Sequence, residues 1–262
     1  MNLDLSGKRA IVCGSTSGLG LASAIEIALL GAEVVLVARS EEKLQQALIS
    51  LSIAHNQQHK YLVADFEDPK GLKQSIENFL DQGNTVQILV NNTGGPRPGT
   101  IEDATPDEFL KAFNAHLICN QILVQAVVPS MKKTGYGRVV NIISTSVREP
   151  IPGLAVSNTI RGAVAAWAKT LANEVGQFGI TVNNVLPGFT KTPRYQSLVE
   201  NRKKLWRKSE DEIEKIFTSD IPLGRIGTPP EFGAAVAFLC SPAASYINGV
   251  SLPVDGGKIS GI

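Results

Sequence analysis

A doubly wound α/β fold, with about seven parallel strands and helices on both faces of the sheet, is what the sequence predicts, and three observations carry the prediction. Short apolar runs rich in β-branched residues alternate with longer helical stretches along the whole chain. The runs are continuously apolar instead of alternating, as in strands covered on both faces. The first run passes straight into a glycine-rich loop and then a helix, the order a βαβ unit requires.

RAIVCG opens the series as the first buried strand, and LASAIEIALLGA follows as a helix ending at Gly31, where a left-handed cap suits glycine. AEVVLVAR and KYLVAD read as the second and third strands, with SEEKLQQALISL helical between them. LKQSIENFL leads to the strand QILVNN, and PDEFLKAFNAHLICNQILVQAVVPSMKK reads as one long helix closed by Gly135. GRVVNIIS, the helix RGAVAAWAKTLANEVGQFG closed by Gly179, and ITVNNVLPG continue the alternation. Residues 189–220 depart from it: they are polar and helix-prone, with Lys203, Lys204, Arg207 and Lys208 followed by Glu210, Asp211, Glu212 and Glu214. A segment inserted beyond a strand's carboxyl end is placed to cover a ligand cleft, so it is expected to be a helical substrate lid. NGVSLPVDGG supplies the last strand. No internal boundary interrupts residues 1–262, which are expected to form one domain.

Composition narrows the function classes. Apolar residues at 43% and charged residues at 19% suit a folded soluble chain, and a net charge of +1 implies no broad basic surface for nucleic acid or anionic membrane. The start MNLDLSGKRAIVCG is too short in apolar residues for a secretory signal, and no run reaches membrane-span length, so a cytoplasmic protein is expected. Cys13, Cys119 and Cys240 are far apart, without a CxxC unit, and read as reduced core residues instead of disulfides or metal ligands.

The loop Gly14, Ser15, Thr16, Ser17, Gly18, Leu19, Gly20 lies where backbone amides and a helix N-terminus can approach a pyrophosphate unobstructed. In this strand–loop–helix context it predicts a Rossmann-type dinucleotide site. Arg39 and Ser40, at the end of the second strand, occupy the position that meets the adenosine ribose. An acid there would repel a 2′-phosphate, whereas arginine offers it a charged fork, so NADP(H) is expected over NAD(H).

From LSGKRAIVCGSTSGLG to SYINGVSLPVDGG the chain resembles the short-chain dehydrogenase/reductase family. The landmarks that carry the resemblance stand in order: the glycine loop, Asp65, Asn91 with Asn92 and Gly94, Asn114, Ser144, and Pro187 with Gly188. The resemblance implies that Asp65 and Phe66 contact the adenine, that Asn91 supports the cofactor side of the sheet, and that Thr190 and Thr192 hold the nicotinamide end. It also places Asn92, Gly94, Ile142, Pro187, Gly188 and Phe189 along the cofactor, Ser144 and Asn114 in the reaction centre, and a homotetramer or homodimer in solution.

One departure bears on the chemistry. The family pattern has a tyrosine thirteen residues after the serine and a lysine four further on; here those positions are Ser157 and Arg161. The two remain on one helical face, and Arg161 can still bind the ribose and supply charge, but a serine hydroxyl is too weak an acid to replace a phenol. Tyr195 in the lid reads as a substrate wall, His116 as a packing residue on a different face from Asn114, and Tyr136 and Tyr246 as structural. The expected activity is NADP(H)-dependent oxidation or reduction of a carbonyl/hydroxyl small molecule, of 3-oxoacyl-reductase type, with Ser144, Asn114, Arg161 and Ser157 at the centre. Conjugate reduction of an activated double bond, and non-catalytic dinucleotide binding, are the alternatives.

Overall fold

Where the sequence places seven buried apolar runs, the computed structural model, which describes residues 1–261, forms one parallel sheet. Its strands are β1 (Arg9–Cys13), β2 (Glu33–Ala38), β3 (Lys60–Val63), β4 (Ile88–Asn91), β5 (Gly137–Ile142), β6 (Ile180–Pro187) and β7 (Ser251–Val254). Among the described residues their order is β3-β2-β1-β4-β5-β6-β7. In register, Ile11 of β1 lies between Val35 of β2 and Leu89 of β4. The chain changes direction of winding between β1 and β4, and connections leave the two strands toward opposite sides. A crevice therefore opens beyond their carboxyl ends.

Helices cover both faces. On one, α1 (Gly18–Leu29), α2 (Glu41–Ile49) and α9 (Pro229–Cys240) bury Ile27, Leu44, Phe232 and Val236 against Leu36 and Val140. On the other, α3 (Pro69–Asp81), α5 (Cys119–Thr134) and α6 (Ala155–Val175) bury Leu72, Phe79, Leu123, Met131 and Ala172 against Val35 and Val182. Fully burying a Leu, Ile or Phe side chain contributes about 1.5–3 kcal/mol, so these two layers hold the sheet rigid beneath the crevice. Cys13, Cys119 and Cys240 are free thiols buried in these layers, as expected. No helix among the described residues is long and apolar enough to cross a membrane.

Three elements differ from the sequence expectation. The long helix foreseen after the fourth strand is α4 (Pro106–Phe113), a π-helical turn over Asn114–Ile118, and then α5. The wider turn holds an extra residue and rotates the side chains that follow. The segment expected to form a lid is two helices, α7 (Pro193–Trp206) and α8 (Glu210–Thr218), packed on a small core of Val199, Ile213 and Phe217 with Ile221 and Ile226 behind it. Helix α9 is an addition: PPEFGAAVAFLC is apolar on most sides and lacks a helical stripe, although the preceding Thr228, two prolines and Glu231 form a capping box that marks a helix start.

A cleft beyond the strand ends

The glycine loop is held from behind. The buried Ser15 hydroxyl accepts from the Val37 N–H at 3.0 Å, and the Gly14 N–H donates to the Val37 carbonyl at 2.8 Å. The Asn92 amide donates to the Cys13 and Gly14 carbonyls at 3.2 and 3.1 Å, clasping the end of β1 to the loop after β4. There is no room for side chains: a Cβ on Gly14 would stand 2.7 Å from Asn92 Nδ2, and one on Gly20 would overlap the Gly14 carbonyl oxygen. Gly14 and Gly18 also take φ of 57° and 58°, in the left-handed region. Ser17 is the N-cap of α1, yet its side chain makes no capping hydrogen bond, so the first N–H groups of the helix face the cleft beside half-buried Thr16 and Leu19. These residues fit a pyrophosphate.

At the adenosine end Arg39 is 68% exposed, with its guanidinium 4.0 Å from Asp65 and 3.9 Å from Glu67. Such exposed, long ion pairs contribute little, which leaves Arg39 available to a phosphate. Ser40 caps α2, accepting from the Lys43 N–H at 3.4 Å. Asp65 is half-exposed and accepts from the Glu67 N–H at 2.9 Å. Phe66 turns its side chain into the core and its carbonyl accepts from the Cys119 thiol, so a contact with adenine would run through its backbone.

A ladder of buried amides crosses the sheet toward the other end of the cleft. Asn91, Asn141, Asn184 and Ser251 are neighbours in register, and each asparagine amide donates to the next residue, at 2.9, 3.0 and 3.1 Å. It stiffens the strand ends that carry the loops above. Ser144 follows β5, and its oxygen accepts from the Ser146 N–H at 3.0 Å, which leaves its own proton free to donate. Arg161 of α6 is buried, with Nη1 donating to the Ile142 carbonyl at 3.0 Å and Nε buried without a partner. Burial, then the Arg194 guanidinium, lower Arg161 to about 10, so it stays cationic at neutral pH. Ser157 is half-buried one turn before it. The loops after β4 and before α6 are joined, Gly99 N–H donating to the Gly153 carbonyl at 2.8 Å, to form one wall. Gly94 is exposed, with open space where a Cβ would be.

Asn114, at the start of the π turn, is exposed, while His116 two residues on is buried, as a packing residue should be, with Nδ1 unpartnered, the Gly94 backbone as a hydrogen-bonding partner, and Arg161 and Arg194 as its electrostatic neighbours. Burial, then Arg161 and Arg194, push His116 down to about 2 from 6.5, so it is uncharged. Protons then bind the unfolded chain first, and the stability associated with keeping His116 neutral is present above pH 6.5 and lost as pH falls below it. Between neutrality and about pH 5 the loss should reach about 2 kcal/mol. Urea unfolding of wild type and His116→Asn at both pH values checks this; an equal acid loss in both proteins contradicts it.

At the lid side, Gly188 follows Pro187 with its N–H on the Val254 carbonyl at 2.9 Å, and Thr190 is buried, its hydroxyl turned to the Gly188 carbonyl at 3.3 Å. Phe189 points into the lid, stacked on Phe217 at 4.7 Å, instead of along the cleft. Thr192 caps α7, accepting from the Tyr195 N–H at 3.3 Å, and its methyl lies 3.6 Å from the position of a Cβ on Gly18, so the lid begins against the glycine loop. The Tyr195 ring packs edge-on against Phe189 and Phe217, and its buried hydroxyl, without a partner, is pushed up to about 12 by burial and then by Glu214 and Glu210. Tyr136 bonds the Cys240 carbonyl at 2.6 Å, as a structural residue should, whereas Tyr246 is fully exposed. Arg194, which the sequence reading passed over as one charge in a polar segment, extends from α7 to Gly95 at the cleft mouth.

Comparison with known proteins agrees with this geometry. Residues 14–258 match the family model described as enoyl-(acyl carrier protein) reductase. The 3-oxoacyl-[acyl-carrier-protein] reductase of Haemophilus influenzae is 33% identical over 253 residues, 97% of this chain and 98% of that protein. An NADPH-dependent reductase of Bacillus subtilis is 28% identical, over 98% of this chain and all of its own length. The crystal structure of L-sorbose reductase from Gluconobacter frateurii, complexed with NADPH and L-sorbose, superposes with a TM-score of 0.94 at 30% identity over the full length of both chains.

Proposed function

The chain belongs to the short-chain dehydrogenase/reductase family, and from that membership we propose an NADPH-dependent reductase that converts a small-molecule carbonyl to an alcohol, on the pattern of its 3-oxoacyl-reducing relatives. The observation that carries the reading is one cleft with an anion-ready glycine loop at one end and Ser144 beside the buried cation Arg161 at the other. Residues 14–20, Arg39, Ser40, Asp65, Asn92, Gly94 and Thr192 are assigned to the cofactor, which when bound supplies the hydride. Ser144 donates to the carbonyl oxygen through the proton its own cap leaves free. Arg161 orients the ribose and stabilises the negative charge that develops on that oxygen, a fixed charge aimed where charge appears. Asn114 stays assigned to the centre: a polar side chain lining an open cleft is exposed, and there it holds the water that delivers the proton.

Cofactor preference follows from Arg39. NADPH should bind more tightly than NADH, and Arg39→Asp should reverse most of that preference, because attraction to the 2′-phosphate becomes repulsion. Fluorescence titration of both cofactors measures it; equal affinities in the wild type refute the assignment.

Ser157 is not the proton donor in this mechanism, since an aliphatic hydroxyl is a poor acid and ends several ångströms short of where a phenol would reach. Ser157→Ala should cost less than about tenfold in turnover with any carbonyl that the wild type reduces. A loss of about a thousandfold, the size expected for removing a working general acid, overturns it. Three buried, unpaired thiols suit the reducing cytoplasm, and a homodimer or homotetramer formed through α5 and α6 is part of the same proposal.

A further inference from the structure

The Arg194 guanidinium stands against Gly95 in the loop after β4 without an acid to balance it, and the geometry points to a substrate that brings its own: an oxo acid whose carboxylate is held by Arg194 while its carbonyl lies at Ser144. This rests on the reductase reading above and narrows its substrate class.

Arg194 is the second residue of α7, directly after Pro193, and its side chain leaves the lid to reach the loop after β4. A Cβ on Gly95 would stand 2.6 Å from its Nη1 and 3.0 Å from its Nη2, so the guanidinium lies against the loop where only glycine leaves room. From there it acts electrostatically on both His116 and Arg161. Arg161 is only 8% exposed; one nitrogen is engaged by a backbone carbonyl and Nε is buried without a partner. His116 is uncharged and adds no negative charge.

On the same segment Lys204, Arg207 and Lys215 are exposed without a carboxylate within 4.0 Å among the described residues, while other cations are paired. Lys191, Lys203 and Lys208 have carboxylates of Glu214, Glu200 and Glu212 at 3.4, 2.8 and 3.7 Å, and Arg225 behind the lid holds Glu231 with both terminal nitrogens. Among the described residues neither Arg194 nor Arg161 has a carboxylate within 4.0 Å. Two neighbouring cations in a half-enclosed cleft repel each other, and an arriving carboxylate turns that into attraction. A guanidinium fork matches the two carboxylate oxygens, which a ketone or ester cannot reproduce. The residues fitted to the cofactor's phosphates lie elsewhere, at the glycine loop and Arg39.

The test uses matched pairs: pyruvate, acetoacetate and levulinate against their methyl esters. Two readouts are taken, kcat/KM with NADPH and the dissociation constant for the enzyme–NADP⁺ complex by calorimetry, where no turnover occurs. At least one acid should exceed its ester by about tenfold or more in both. Arg194→Gln should abolish that ratio through KM and binding of the acid, and Arg194→Lys should restore part of it. The inference is overturned if no acid binds better than its ester, if the ratio survives Arg194→Gln, or if that variant weakens NADPH binding and leaves the ratio alone. An enzyme that binds NADPH and oxidises it with none of many carbonyls contradicts the reductase reading instead, and the calorimetric ratio still decides the role of Arg194.

Discussion

Arg161→Ala should lower kcat/KM for carbonyl reduction by about a hundred- to a thousandfold, the size of effect seen when a preorganised charge is removed from a developing oxyanion. It should also weaken NADPH binding, while the melting temperature stays unchanged or rises. The separation of activity from stability follows from how little Arg161 does for the fold. Its guanidinium donates to the Ile142 carbonyl, its Nε has no partner, and no carboxylate lies within 4.0 Å among the described residues. A buried cation so poorly compensated is unfavourable for folding, and its removal relieves a desolvation cost that about matches the hydrogen bond lost. Arg161→Lys should keep part of the activity, because charge survives but the planar fork does not. Thermal unfolding and steady-state kinetics of both variants decide it. A variant that loses activity only because it unfolds would make Arg161 a structural residue.

Gly20→Ala should all but abolish NADPH binding. By helix propensity alone, alanine in the first turn of α1 is favoured by about 1 kcal/mol. Here a Cβ would overlap the Gly14 carbonyl oxygen and stand 2.7 Å from Asn92 Nδ2. Neither is the end of a flexible chain: the carbonyl belongs to the loop and the amide clasps β1. Overpacking of this kind costs about 1–3 kcal/mol, so it outweighs the propensity gain, and the relief is a displaced loop whose amides no longer converge on the pyrophosphate. An affinity loss of about a hundredfold or more is expected by calorimetry, with modest destabilisation. Unchanged affinity would mean that the loop does not contact the cofactor.

The sheet was legible because each strand is buried on both faces and so stands out as a continuous apolar run, with RAIVCG and QILVNN placing the cleft between them. The glycine loop was legible because its steric demand excludes other residues. What the sequence did not show is direction. Phe66 and Phe189 stand at the positions the resemblance implies, yet their rings enter the core and the lid. The π turn has no glycine or proline to announce it, so Asn114–Ile118 read as part of one regular helix. Helix α9 lacked an apolar stripe because it is buried between α1 and the sheet, and its capping box was the signal available. Arg194 read as one solvated charge among many, since a sequence does not say which cations find carboxylates.

Hydride transfer to a carbonyl carbon in a centre without the usual tyrosine is the reaction proposed. Its most direct test is product analysis by mass spectrometry and NMR after turnover with NADPH deuterated at the nicotinamide C4 position that donates. One deuterium per NADPH oxidised is expected on the carbinol carbon of the alcohol formed, with Ser157→Ala giving the same label. Deuterium on the carbon β to an intact carbonyl, or tight NADPH binding without transfer to any carbonyl compound, would contradict it.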